Sequence, residues 1–81
     1  MKSKFEGYIH CYDDPYTGPW WIVAEYRDGC YYAYTTRKSY RASGCSMVYG
    51  SLDYLLGCAP CYRTRASALR TARRVYGDGS S

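Results

Sequence analysis

Long apolar runs are missing from this chain. No stretch of its 81 residues approaches the ~18 apolar residues that a membrane span needs, so none is expected to cross a bilayer. The opening residues Met1-Lys2-Ser3-Lys4-Phe5-Glu6 also lack the apolar run of an export signal. The expected location is therefore the cytoplasm. Histidine occurs once, as His10, which leaves few ways to build a general base with a nucleophile and an orienting acid. The phosphate-binding, dinucleotide, nucleophile-elbow and zinc-protease motifs G-x-x-x-x-G-K-[ST], G-x-G-x-x-G, G-x-S-x-G and H-E-x-x-H are all absent. An enzyme is not expected, and neither is a cofactor.

Negative charge is scarce in one half. Residues 1–36 hold Lys2, Lys4 and Arg27 against Glu6, Asp13, Asp14, Glu25 and Asp28, a net −2. Residues 37–74 hold Arg37, Lys38, Arg41, Arg63, Arg65, Arg70, Arg73 and Arg74 against Asp53 alone, a net +7. With Asp78 the chain reaches its formal +4. A field of one sign attached to one half attracts nucleic acid, acidic protein or an anionic surface, or serves only as a solvated face.

Five cysteines are many for this length. Their odd number and the lack of an export signal argue against a disulfide framework. Cys58-Ala59-Pro60-Cys61 is a single C-x-x-C, half of a zinc pattern, with His10, Cys11, Cys30 and Cys45 as unpaired further donors. A zinc-stabilised mini-domain is thus one alternative. Small buried thiols are the reading preferred, with no metal site assigned. Asp13-Asp14 before Pro15 reads as turn chemistry rather than a metal loop.

What the chain has in plenty is tyrosine, 12 residues of it. A chain this short buries only about 60 % of its unfolded surface. Large rings that pack while their hydroxyls reach water compensate in part. Residues 5–12 read as a first strand and residues 13–19 as a turn. Residues 20–26 (WWIVAEY) read as a strand, Arg27-Asp28-Gly29 as a hairpin turn, and residues 30–36 (CYYAYTT) as the returning strand. Trp20, Ile22, Ala24 and Tyr26 alternate with Trp21, Val23 and Glu25, so both faces are apolar and the strand is expected to be central. Residues 37–44 read as a basic loop or exposed strand end, and residues 45–49 as a short strand. Residues 51–56 read as one helical turn begun by Ser51 and stopped by Gly57, or as an apolar strand. Residues 64–76 read as a helix with Thr64 as N-cap and Gly77 as its stop. Ala68, Leu69, Ala72, Val75 and Tyr76 form its apolar stripe. The expected fold is α+β: a small antiparallel sheet of three to four strands packed against one C-terminal helix. It forms a single domain over residues 1–81, with its ordered part at about residues 5–76.

The candidate contact residues are Tyr32, Tyr34, Arg37, Lys38, Tyr40 and Arg41, with Arg70 and Arg74 on the outward face of the helix. Aromatics beside cations can stack bases and hold phosphates. The same residue types anchor protein–protein contacts. Glu25 and Asp28 interrupt the hairpin and count against a nucleic-acid backbone crossing the sheet. A two-faced apolar strand is also compatible with a homodimer.

The tail Tyr62-Arg63-Thr64-Arg65-Ala66-Ser67-Ala68-Leu69-Arg70-Thr71-Ala72-Arg73-Arg74, preceded by the hairpin WWIVAEYRDGCYYAY, resembles an ending found in small phage and prophage accessory proteins. Some of those are of the anti-CRISPR type. The resemblance concerns the organisation of residues 20–76 and implies an inhibitor that binds and blocks a host defence complex of the CRISPR–Cas kind. That class shares no motif, so it assigns no site residues here. A small nucleic-acid-binding domain is the alternative from a different class.

Overall fold

The computed structural model describes residues 5–42 and 47–77, with Met47 and Tyr49 described by their backbone alone. The expected strands 45–49 and terminal segments therefore lie partly outside the described residues. The α+β class and its C-terminal helix hold. Among the described residues, however, the strands number six and divide into two antiparallel three-stranded sheets, where one sheet of three to four was expected.

The first sheet has the order β1 (Ile9–Asp14), β2 (Gly18–Val23), β6 (Cys61–Tyr62). The second has the order β3 (Glu25–Arg27), β4 (Cys30–Ala33), β5 (Met47–Tyr49). The single strand read from WWIVAEY is thus two strands meeting at Ala24. At that junction the backbone bonds outward. Ala24 N–H donates to Tyr8 O at 2.8 Å, and the carbonyl of Ala24 accepts from His10 Nε2 at 2.9 Å. Leaving one ladder and entering another without stranding a buried amide requires such partners. The expected first strand is also displaced, running on through Asp13 and Asp14, which the sequence alone assigns to the turn. Glu6–Tyr8 is a turn of 3₁₀ helix, and the chain extends only from Ile9.

The β3–β4 turn is the one its sequence calls for. Asp28 and Gly29 both have positive φ, 53° and 81°, as a two-residue hairpin turn demands.

β2 is central in its sheet, and each of its faces has its own core. Val23 and Trp21 look toward α2 (Arg65–Tyr76), packing with Ala68, Ala72, Val75 and Tyr76. Ile22 and Trp20 look the other way, where Leu55, Leu52 and Leu56 of a 3₁₀ helix, Leu52–Gly57, cover them. Ile22, Val23, Leu55 and Val75 are the largest fully buried side chains. Each stabilises the fold by about 1.5–3 kcal/mol. Small residues at positions 68 and 72 of α2 allow the close approach of helix to sheet.

α2 begins and ends close to expectation. Thr64 caps it, its hydroxyl accepting from Ser67 N–H at 3.3 Å. Gly77 ends it in extended conformation (φ −64°, ψ 158°), not in the left-handed one.

His10 is half-buried at the junction, its ring edge-on to Tyr31 with centroids 5.1 Å apart. Burial lowers its pKa, and the bond to Ala24 O opposes this only in part. A histidine whose folded pKa lies below the unfolded value stabilises the fold fully above about pH 6.5. That stability is lost as pH falls from there through the folded pKa, because the unfolded chain binds the extra proton. As His10 is the only histidine, thermal melts are expected to show a falling midpoint between neutral pH and pH ~5. His10→Gln should flatten that slope.

Candidate functional site: a basic face on two helices

Residues 37–44 were expected to be a basic loop or an exposed strand end. Instead, Arg37–Arg41 form a short helix, α1. Thr36 supplies the missing signal: its hydroxyl accepts from Ser39 N–H at 3.1 Å, an N-cap that the basic composition obscured. This helix places the first group of cations against the second.

Beneath the contact lies a knot of tyrosines. Tyr76 of α2 stacks on Tyr8, with centroids 4.0 Å apart and rings nearly parallel. It also meets the edges of Tyr40 and Tyr34 at 4.8 and 6.1 Å. Tilted and offset aromatic pairs contribute about 0.5–1.5 kcal/mol each beyond area burial. Burial drives the Tyr76 hydroxyl pKa well above its ordinary value, so it stays protonated at any physiological pH. Above the knot, Arg37 Nε donates to Arg74 O at 3.0 Å, tying α1 to the C-terminal carbonyls of α2. A cation is favourable at that end of a helix dipole.

The candidate residues therefore separate. Tyr34 is only 5 % exposed and belongs to the core, so it is no surface anchor. Tyr40 is half-buried in the same knot. Tyr32 is half-buried with the Arg27 guanidinium over its ring at 4.2 Å. Of the stacking platform read from Tyr32, Tyr34 and Tyr40, Tyr34 is thus taken up by the core, while Tyr32 and Tyr40 are half-covered by packing. The cations do converge. Arg37, Arg70, Arg73 and Arg74 line one open cleft of about 400 Å³. Arg37, Lys38, Arg41 and Ala42 line a second of about 500 Å³. Arg73 was not among the residues singled out from sequence; the Arg73-Arg74 doublet in the last helical turn was its only signal.

The other two arginines of the basic half are occupied elsewhere. Arg65 is paired with Glu6. Arg63 lies over the Trp20 ring at 3.8 Å and donates to Pro19 O at 3.1 Å. Among the described residues the ion pairs are Arg65–Glu6 and Arg27–Glu25, and neither involves the six cations of the face. The field of these six is accordingly not neutralised by a neighbouring described carboxylate.

Cys58 and Cys61 do not line either cleft. Cys58 is exposed, whereas Cys61 is half-buried and its Sγ–H donates to Ala59 O at 3.1 Å. Burial, and then the proximity of Cys58, raise the Cys61 pKa, which disfavours its thiolate. Among the described residues no group of three or more His, Cys, Asp or Glu side chains could hold a metal ion; Cys45 lies outside them. No described helix is long and apolar enough to cross a membrane. No protein-family model matches the chain, and no curated protein or solved structure was found to be similar to it.

Proposed function

We propose that this is a non-enzymatic binding protein, an inhibitor-like accessory molecule that docks on a nucleic-acid-processing complex through the basic face of α1 and α2. The observation that carries this reading is the convergence of six cations from two separate chain segments, with no carboxylate partner among the described residues. Like charges held together weaken a fold, and an anionic partner relieves that repulsion. The face is also open rather than enclosed, which suits a macromolecular surface better than a small substrate. The CRISPR–Cas-like target belongs to this proposal and rests on the resemblance of the tail alone.

Arg70→Glu/Arg74→Glu reverses two exposed charges and leaves the core untouched. Its stability should stay within about 1 kcal/mol of the parent's, since the relief of repulsion offsets the loss of a cation from the C-terminal end of the helix dipole. In a pull-down from a lysate carrying a CRISPR system, the parent is expected to retain a nucleic-acid-processing complex and the folded variant to retain none. Retention that is unaffected by the reversal overturns the proposal.

A further inference from the structure

The two clefts share one residue. Arg37 lines both, between Arg70, Arg73 and Arg74 on one side and Lys38 and Arg41 on the other. Its position is fixed rather than free: Nε is spent on Arg74 O, and Nη2 lies beside Gly77, where an added Cβ would be 3.0 Å away. A guanidinium carries five N–H donors, so anchoring through Nε leaves the terminal groups for an anion on either side. Five of the six cations are arginine, the side chain whose planar fork fits phosphate oxygens.

What the face lacks decides between anionic partners. Protein contacts draw their affinity from buried aromatic or aliphatic anchors inside a polar rim. Among the described residues the exposed large apolar side chains are Tyr16, Tyr26, Val48 and Tyr54, and none belongs to α1 or α2. The rings that could have served, Tyr34 and Tyr40, are buried or half-buried in the knot below. A surface of cations without an anchor is ill suited to an acidic protein. It is well suited to a phosphate backbone, where counterion release supplies affinity without base contacts.

We infer that the two clefts are adjacent phosphate subsites sharing Arg37, and that they bind the backbone of a nucleic acid without regard to sequence. This rests on the basic face being the working surface and names what that surface touches.

The test is fluorescence anisotropy of the intact protein with labelled mixed-sequence oligonucleotides, single-stranded and duplex, over a series of salt concentrations. Polyglutamate and a mononucleotide serve as competitors. A slope of log affinity against log salt of about −4 to −5 is expected, as six phosphate contacts give. Arg41→Ala and Arg73→Ala, one from each cleft, should each lessen that slope by ~1 and weaken all sequences alike. Arg37→Ala should cost more than either. Arg63→Ala, outside the face, should leave the slope unchanged. The mononucleotide, with one phosphate, should compete poorly. An effect of Arg73→Ala without one of Arg41→Ala overturns the shared-subsite arrangement. Displacement of the oligonucleotide by polyglutamate at equal charge overturns the nucleic-acid assignment while leaving the basic face as the docking surface. If neither probe binds, both the inference and the docking surface fall.

Discussion

Leu55→Ala is expected to lower stability by about 2–5 kcal/mol, the range for deleting a fully buried leucine. Small domains have a total stability on the order of 5 kcal/mol, so the variant should be largely unfolded or close to it at 37 °C. The reason lies in the thinness of the second core. Its described buried members are Ile22, Ala24, Ala33 and Leu55, and two of these are alanines. The cost of whatever cavity the partly buried side chains around it, such as Leu52, Leu56 and Trp20, leave unfilled is added to the lost transfer energy. Urea titration followed by circular dichroism measures this directly. Leu55→Met, which nearly conserves volume, should cost less than about 1.5 kcal/mol. A loss below about 1 kcal/mol for Leu55→Ala would mean that the 3₁₀ segment is an appendage to the sheet and not its cover.

Gly77→Ala is expected to cost about 1–3 kcal/mol and also to weaken the basic face. Its φ of −64° suits any residue, so the usual effect of adding a methyl group there would be a small gain from a less flexible unfolded chain. Space reverses the sign. A Cβ at Gly77 would stand 2.4 Å from Arg73 O and 3.0 Å from Arg37 Nη2. The first contact is with backbone and cannot be relieved without moving the end of α2. The second pushes away the arginine shared by the two clefts. Thermal melts and oligonucleotide affinity should therefore fall together in this one variant. A stabilised Gly77→Ala would show that the helix end yields easily and that Arg37 is not held by it.

The elements that the chain announces most clearly are those whose signals are local. Asp28-Gly29 has one good conformation between two aromatic strands, and it adopts it. Thr64 and the stripe from Ala68 to Tyr76 carry α2 within the chain's own sequence. The two apolar faces of residues 20–23 correctly indicate a central strand. Other features depend on distant partners and could not be read in this way. Ala24 looks like any strand residue, yet Tyr8 and His10 make it the point where one sheet ends and another begins. Residues 37–41 look like a loop because charge masks the Thr36 cap, and their packing against Tyr76 spans more than thirty residues of sequence. The candidate site was legible as a list of cations but not as a surface. Tyr34 has the composition of an exposed anchor and the burial of a core residue; only its packing against Tyr40 and Tyr76 separates the two.

The neighbours Trp20 and Trp21 lie on opposite sides of β2, and this gives the protein two separate optical reporters. Trp21 is packed against the core beneath α2. Trp20 is packed with the Leu55 core, carries the Arg63 guanidinium over its ring and donates from Nε1 to Thr17 Oγ1 at 2.7 Å. The two indoles therefore sit in different electrostatic surroundings, and their emission should differ in colour and in quenching. Replacing one at a time with phenylalanine leaves a single lamp on a chosen side of the sheet. Loosening of the helix side and of the 3₁₀ side can then be followed separately within a chain of 81 residues.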